Sequence, residues 1–215
     1  MSGTQAEGRA RRIDHQLEEL TAELAERFHG VFSEQTVYRF VLETYGMFRQ
    51  QATVDIHLVS LTAHFARQRL TDYGRAQGLT HITAPQVLFV CVHNIGRSQM
   101  AGALLEYHAF GRVMIRSAGS QPAGSIPATV VQALEECGIS LTKAYPKPLT
   151  DEVVRAADVV VTMGCGDSCP VLPGRRYLDW DVEDPVDRPI EDVRRIRDDL
   201  ERRVLGLLSE LWDDQ

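Results

Sequence analysis

Residues 86–100 constrain the fold of this chain more than any other stretch. Residues 87–92 are a short run of Val, Leu and Phe with one Cys, the composition of a strand buried on both faces of a sheet. Residues 97–110 follow almost at once, and their apolar side chains recur at helical spacing, at Met100, Leu104 and Tyr107. The sequence therefore predicts a buried strand that passes through a tight turn into a helix.

The turn between this strand and this helix carries the pattern Cys91-x5-Arg97-Ser98. A loop that enters a helix N-terminus gathers main-chain N–H groups around one point, and the helix dipole adds positive potential there. The turn is therefore suited to hold a tetrahedral oxyanion. Gly96 lets the backbone approach closely, and the planar guanidinium of Arg97 can donate to two oxyanion oxygens. The same field favours the thiolate form of Cys91, the predicted nucleophile.

Strand-like and helix-like segments alternate from residue 86 onwards. After the first pair, strands are predicted at 113–117, 159–163 and 177–180, and helices at 127–137, 150–156 and 190–212. Such alternation is typical of an α/β domain whose parallel sheet is covered by helices on both faces. Ligands in such folds bind at the carboxyl ends of the strands, where Cys91 and Cys165 both fall.

Two domains are predicted. Residues 1–80 form a small three-helix bundle, residues 86–215 form the α/β domain, and a linker ending in Ala84-Pro85 joins them. The bundle has surplus apolar side chains on more than one face of its third helix. Because large exposed apolar patches mark interfaces, we expect a homodimer through this domain.

The bundle helices are predicted from period and capping. Residues 1–10 are expected to be a frayed tail, and an amphipathic helix is expected over residues 13–28. Ser33 is predicted to cap a second helix, and Asp55 to open a third that closes near Gly78.

Composition excludes several classes of function. The net charge is −7, and residues 1–80 carry nine basic and ten acidic side chains, so neither domain has the basic excess of a nucleic-acid binder. No secretory signal is evident and no apolar run approaches a membrane span. The chain has only four cysteines, which suits a reducing cytoplasm rather than a disulfide scaffold. His57 and His64 lack further ligands of usual spacing, so no metal site is predicted.

Residues 91–101, Cys-Val-His-Asn-Ile-Gly-Arg-Ser-Gln-Met-Ala, closely resemble the loop of arsenate reductases related to low-molecular-weight tyrosine phosphatases. The likeness continues through the tetrapeptide at 116–119, the tripeptide at 161–163 and Asp184-Pro185, and it leaves out the N-terminal third. It implies the three-layer phosphatase-like fold and a function in arsenic resistance.

The resemblance also assigns residues to roles. Oxyanion binding falls to residues 92–98, which are Val92, His93, Asn94, Ile95, Gly96, Arg97 and Ser98. Ser98 would donate to the Cys91 thiolate, and Asn94 would fix the loop. Asp184 matches the family's general acid, whereas the residues alone do not separate it from Asp179, Asp181 and Glu183.

Cys165 and Cys169 favour a reductase, because a phosphatase needs no further thiols. In the relay that the resemblance implies, Cys165 attacks the Cys91–arsenic adduct and Cys169 then takes over the disulfide. No cofactor is expected to be tightly bound, and an external thiol, thioredoxin or the mycothiol/mycoredoxin system, supplies electrons. One alternative is that Cys165 and Cys169 are a structural pair. A metal site is the other alternative, and it is disfavoured because the chain has no second cysteine pair to complete the ligand set. Cys137 is predicted to be a core residue.

Three other functions stay open at this point. A low-molecular-weight protein tyrosine phosphatase usually has aromatic residues after the Asp-Pro pair, whereas here Val186 and Asp187 follow. A mycothiol-dependent arsenate transferase would need only the loop cysteine. A non-catalytic oxyanion or redox sensor is the candidate from a different class. The favoured prediction is arsenate reduction through Cys91, Cys165 and Cys169 with thioredoxin as the reductant.

Overall fold

The computed structural model describes residues 2–51, 57–142, 144–165 and 169–213, and the side chains of 2–6 and 51 are not described. The chain divides into two compact units, an N-terminal unit, Met1–His81, and a C-terminal unit, Ile82–Gln215. None of the helices in the described ranges is long and apolar enough to cross a membrane.

The N-terminal unit contains three helices: α1 (Ser2–Arg27), α2 (Glu34–Gln51) and α3 (Leu58–Ala76). The predicted frayed tail over residues 1–10 is wrong from Ser2 onwards, because α1 already begins there. Residues 2–10 have no Pro, and five of the nine are Ala, Gln, Glu or Arg, which favour a helix enough to accommodate Gly3 and Gly8. Ser33 caps α2 as predicted, since its Oγ accepts the N–H of Thr36 at 3.2 Å. Asp55, the predicted start of the third helix, lies outside the described residues.

The core of this unit is rich in aromatic rings. Its buried apolar residues are Leu17, Leu20, Leu24, Phe28, Val37, Phe40, Val41, Ala66 and Leu70. Tilted ring contacts at 5.2–5.7 Å run through Phe28, Phe32, Tyr73 and Phe40. The third helix exposes less apolar surface than its sequence suggested, because Leu58, Phe65 and Leu70 are buried and Val59 and Leu61 are half-buried.

The C-terminal unit alternates strands and helices as predicted, with ends shifted by one or two residues. The elements are β1 (Gln86–Cys91), α4 (Arg97–Ala109), β2 (Met114–Gly119), α5 (Ala128–Glu135), α6 (Asp151–Ala156), β3 (Val159–Thr162), β4 (Arg176–Asp179) and α7 (Ile190–Asp213). The four strands form one sheet in the order β2-β1-β3-β4, and all pairs are parallel. The predicted α/β domain with a parallel sheet is confirmed.

Strand β1 lies at the centre of this sheet, and all six of its residues are buried. Val87, Phe89 and Cys91 point into the larger core with α4, α5 and α7. Leu88 and Val90 point to the opposite face, which packs against α6. Because both faces are covered, β1 needs apolar side chains throughout, and Cys91 is its last residue at the carboxyl edge of the sheet.

Candidate active site

The loop between β1 and α4 is held from one side by the segment after β2. The carbonyls of Cys91 and Val92 accept the N–H groups of Ser120 at 3.1 Å and Gln121 at 2.8 Å. Gly119 has to be a glycine for this approach, because a Cβ there would lie 2.7 Å from the Val92 carbonyl oxygen. These contacts direct loop carbonyls away from the interior of the turn.

Most main-chain N–H groups of the loop have no protein acceptor in the described residues, the exception being Asn94, whose N–H donates to Cys91 Sγ. In the described parts of the chain, no group accepts a hydrogen bond from the backbone nitrogens of Val92, His93, Ile95, Gly96, Arg97 and Ser98. They surround the N-terminus of α4, where the helix dipole is positive. The predicted oxyanion-binding residues therefore form one turn with a set of convergent donors, which is the arrangement that a tetrahedral oxyanion requires.

Cys91 lies at the base of this turn and is 3% exposed. Its Sγ is 2.9 Å from the Oγ of Ser98 and accepts the backbone N–H of Asn94 at 3.3 Å. Both neighbours can direct a proton at the sulfur, and such contacts stabilise negative charge on it. The structure thus brings Ser98 to Cys91, as the resemblance implied.

Asn94 is fully buried and takes a left-handed backbone conformation, with φ of 55°. Its side chain donates to Ser98 Oγ at 2.7 Å and accepts the N–H of Lys147 at 2.9 Å. Gln99, which the sequence analysis missed, donates to Asn94 and to the carbonyl of Tyr145. A signal was present, because Gln99 lies next to the buried Ser98 in the first turn of α4, and a buried polar side chain needs a partner.

Arg97 is held by the Asp-Pro segment. Its Nη2 donates to Asp184 Oδ2 at 2.7 Å, and the other carboxylate oxygen accepts the N–H of Val186 at 3.1 Å. Pro185 lies against the loop, since a Cβ on Gly96 would be 2.7 Å from its ring. The predicted general acid and the predicted oxyanion ligand therefore contact each other in the described chain.

The other carboxylates that the sequence left open have different partners. Asp179 accepts the hydroxyl of Thr162 at 2.6 Å, and Glu183 pairs with Arg195 at 3.0 Å. The Arg195 guanidinium holds the pKa of Glu183 below its ordinary value. Among Asp179, Asp181, Glu183 and Asp184, the carboxylate that contacts Arg97 in the described chain is that of Asp184, and its role as general acid stays a prediction.

Cys165 and Cys169 follow β3, and both are free and buried, at 5% and 7% exposed. They pack with Leu88 and Val90, on the face of the sheet opposite to the core that contains Cys91. Residues 166–168 between them lie outside the described part. A hydrogen bond from Cys169 lowers the pKa of Cys165 to about 7, and the same interaction raises the pKa of Cys169. Cys165 is therefore the more nucleophilic of the two.

Gly164 places this cysteine segment against Arg97. Its φ is +69°, and a Cβ there would lie 2.6 Å from Nη1 of Arg97. A glycine is thus required both by the backbone conformation and by the guanidinium. Cys137, by contrast, is half-buried at the edge of the main core. In the described ranges, no cluster of three or more His, Cys, Asp or Glu side chains is arranged to hold a metal ion.

Most of the chain matches two known protein families. Residues 86–215 match the family described as low molecular weight phosphotyrosine protein phosphatase. Residues 17–73 match a protein-tyrosine-phosphatase-like N-terminal domain.

Individual proteins extend this likeness. A solved structure of a thioredoxin-dependent arsenate reductase from Corynebacterium glutamicum is 42% identical, with a TM-score of 0.84, and the match covers 93% of this chain and 98% of that one. A glutaredoxin arsenate reductase of Synechocystis is 30% identical over 129 residues, which are 59% of this chain and 98% of the relative. An arginine phosphatase structure from Geobacillus stearothermophilus is 28% identical with a TM-score of 0.54, over 61% of this chain and 95% of that one.

Proposed function

This chain belongs to the low molecular weight phosphotyrosine protein phosphatase family, with an additional N-terminal helical domain, and on that premise we propose that it reduces arsenate to arsenite. The observation that carries the proposal is the pair of free, buried thiols, Cys165 and Cys169, in the segment whose Gly164 lies against Arg97 of the Cys91 loop. A phosphatase of this type needs one thiolate and water, whereas reduction also needs thiols that supply two electrons, and in the thioredoxin-linked relay two of these thiols belong to the protein. The 42% identity to a thioredoxin-dependent arsenate reductase supports the same reaction.

The first step forms a bond between the Cys91 sulfur and arsenic. The loop N–H groups and the Arg97 fork hold the arsenate oxygens, and Arg97 exchanges its contact with Asp184 for the oxyanion. Asp184, whose side chain is 43% exposed, takes a proton from solvent once it is released. As the S–As bond forms, one As–OH bond breaks, and that hydroxyl takes the proton from Asp184 and leaves as water.

The next two steps move the electrons. The Cys165 thiolate attacks the Cys91 sulfur, so an S–S bond forms while the S–As bond breaks. The electron pair of that bond remains on arsenic, which leaves as arsenite. Cys169 then attacks Cys165, forms the Cys165–Cys169 disulfide and frees Cys91 as thiolate. The lowered pKa of Cys165 supports its role as the attacking thiol at neutral pH.

Thioredoxin is the proposed reductant of the Cys165–Cys169 disulfide. Two features support a partner protein at this point. Val171, two residues beyond Cys169, is 78% exposed. Tyr177 also fixes the following turn, since its hydroxyl donates to the Pro170 carbonyl at 2.9 Å and accepts the N–H of Leu172 at 2.8 Å. Mycothiol is the alternative, and in that route Cys91 alone is required.

One assay tests the proposed reaction against the phosphatase alternative. We expect arsenate-dependent oxidation of NADPH in the presence of thioredoxin and thioredoxin reductase, and at most slow hydrolysis of p-nitrophenyl phosphate. The reverse result, hydrolysis without arsenate reduction, would assign the chain to the phosphatases. Arsenate reduction with mycothiol and mycoredoxin, but not with thioredoxin, would assign the transferase route.

We also propose that the N-terminal unit forms a homodimer contact. Its third helix is largely covered, so the support now comes from α2, where Tyr38 and Leu42 lie one turn apart and are 45% and 40% exposed. Light scattering should give twice the chain mass for the wild type and the monomer mass for Leu42→Lys. A monomeric wild type would contradict this contact.

A further inference from the structure

We propose that Gln99 is a positioning residue for Cys91, and that it acts by fixing the direction of the hydrogen bonds that end at the sulfur. The proposal rests on the function proposed above, in which Cys91 is the nucleophile. Gln99 is 5% exposed and does not contact the thiol in the described chain. Its effect passes through two side chains, Asn94 and Ser98.

The orientation of the Asn94 amide is set by the backbone. The N–H of Lys147 points at one atom of this amide at 2.9 Å. Because a backbone N–H can only donate, that atom is the oxygen Oδ1. The other atom is therefore the nitrogen Nδ2, which donates to Ser98 Oγ at 2.7 Å.

This orientation decides where the hydroxyl proton of Ser98 goes. Ser98 Oγ accepts from Asn94, and its own proton is left for the sulfur of Cys91 at 2.9 Å. With the amide reversed, an oxygen would face Ser98 and would take that proton instead. The direction of one amide thus determines whether Ser98 donates to Cys91, and such a donor stabilises the thiolate.

Gln99 adds the second donor that holds this direction. Its Nε2 lies 2.8 Å from the carbonyl oxygen of Tyr145, which can only accept, so the nitrogen assignment is fixed by the backbone here too. The same nitrogen lies 3.0 Å from Oδ1 and 3.1 Å from the main-chain carbonyl of Asn94. One side chain therefore holds both the amide and the left-handed backbone of Asn94.

Replacement of Gln99 should raise the pH midpoint of Cys91 alkylation only in part. Without Gln99 the Lys147 N–H still holds Oδ1, so the chain of hydrogen bonds is weakened and not reversed. The ionisable side chains beside the thiol in the loop are Arg97, paired with Asp184, and the exposed His93. In the described chain none of these three is hydrogen-bonded to Gln99, so its substitution leaves them in place.

The test is the pH dependence of Cys91 alkylation in the full-length protein, resolved by peptide mass spectrometry. Gln99→Met keeps the volume and removes the donor, and Gln99→Glu keeps the shape but offers only acceptors when ionised. We expect the midpoint of alkylation to move up by about 0.5–1 pH unit in Gln99→Met and further in Gln99→Glu. Leu104→Val, a buried change in the same helix, controls for lost stability and should keep the wild-type midpoint.

A double substitution tests the route of the effect. Ser98→Ala should shift the midpoint more than Gln99→Met does, and adding Gln99→Met to Ser98→Ala should shift it no further, because Gln99 acts through Ser98. Additive shifts would overturn the route. An unchanged midpoint in both folded Gln99 variants, in a protein whose wild type reduces arsenate, would overturn the inference alone. A wild type that reduces no arsenate would overturn the proposed function, and the inference with it.

Discussion

The two units of this protein bury polar side chains in different ways. Three threonines are buried in the N-terminal unit, and each hydroxyl donates to the carbonyl four residues earlier in its own helix: Thr21, Thr44 and Thr62. Each of these hydrogen bonds satisfies the hydroxyl within its own helix, and Thr44 also accepts a hydrogen bond from the Arg69 guanidinium, 25 residues further along the chain. The bonds from the threonine hydroxyls are a property of the helices themselves.

In the C-terminal unit the buried polar side chains connect distant segments. Asn94 and Gln99 reach the backbone of Lys147 and Tyr145, 53 and 46 residues away, and the chain of contacts ends at Cys91. Burying the polar side chains of Asn94, Ser98 and Gln99 is costly unless each has its hydrogen-bond partners. The comparison teaches that the polar groups of the C-terminal unit differ in the atom that their hydrogen bonds lead to, the Cys91 sulfur. Burial and distant partners alone do not make this difference, because buried Arg69 also has partners 25 and 26 residues away.

The sharpest contrast is expected at Cys91. Cys91→Ser should lower arsenate reduction by about 10³-fold or more, because a hydroxyl is not ionised at neutral pH. Cys137→Ser makes the same chemical change at a site outside the loop and should keep wild-type activity. The measurement is the NADPH-coupled rate, with circular dichroism to show that both variants are folded. More than a few per cent of activity in Cys91→Ser would remove the assignment.

Gly164 tests whether the cysteine segment and Arg97 are coupled. Gly164→Ala should lower kcat/KM by about 10²-fold, because the new Cβ displaces the guanidinium. Gly138 is the matched control: its φ is +77°, close to the +69° of Gly164, but a Cβ there meets nothing within 4 Å. Both substitutions strain the backbone, because they place a Cβ at a positive φ, but only Gly164→Ala should lower activity. Equal loss in both would mean that strain alone is responsible.

A change in the N-terminal unit should affect stability and spare the chemistry. Arg69 is 5% exposed, donates to Thr44 and Glu43, and lies 4.8 Å from the centre of the Phe40 ring. Arg69→Met should lower the free energy of unfolding by about 2–3 kcal/mol, with the rate per folded molecule unchanged.

The effect of Arg69→Met on stability has to be measured with a spectroscopic signal that reports on the N-terminal unit. Both tryptophans of the chain, Trp180 and Trp212, belong to the C-terminal unit. Unfolding of the N-terminal unit should therefore appear in far-ultraviolet circular dichroism and not in tryptophan fluorescence. A fall in activity per folded molecule would show that the bundle acts on the site and would break the comparison.

Lys147 should show a smaller effect that depends on pH. Burial, and then the nearby charge of Arg116, lower the pKa of Lys147 to about 8 from 10.5. Below about pH 8 the Lys147 amine is charged in both the folded and the unfolded state, and burying this charge lowers the stability of the folded state. Between pH 8 and 10.5 the folded state loses the proton first, so wild-type stability rises relative to a neutral variant.

Lys147→Met should therefore be more stable than the wild type by about 1–2 kcal/mol at neutral pH, with the gain shrinking between pH 8 and 10. The variant keeps the main-chain N–H that holds Asn94, so arsenate reduction should not change. Tryptophan fluorescence during denaturant unfolding at several pH values measures the difference. A gain that is constant with pH would exclude the titration of Lys147 as its cause.

Much of the C-terminal unit follows from local sequence pattern. Strand β1 and helix α4 were predictable to within a residue or two, because a continuous apolar run and a helical period are strong signals. The contacts of Asn94 with Lys147 and of Gly164 with Arg97 were not, because they join segments that only the sheet order brings together. The sequence alone assigned Gly164 no steric role, because that role depends on where the Arg97 guanidinium lies.

For the N-terminal unit, the sequence predicted the helices but not where the first one starts or how much of the third is exposed. Its helices follow from period and capping, yet the start of α1 was misplaced, because polar residues with high helix propensity look like a tail when they carry no apolar face. The apolar surplus of α3 was also overestimated from the sequence, since burial depends on how the three helices pack.

The thiol state after a single turnover tests the central claim most directly. One equivalent of arsenate is added to the reduced full-length protein without any external thiol, and disulfides are mapped by mass spectrometry. We expect Cys165–Cys169 in the wild type and Cys91–Cys165 in Cys169→Ser, because the second variant stops the relay after its first disulfide. Formation of arsenite with Cys165 and Cys169 still free, or no disulfide at all, would contradict the relay.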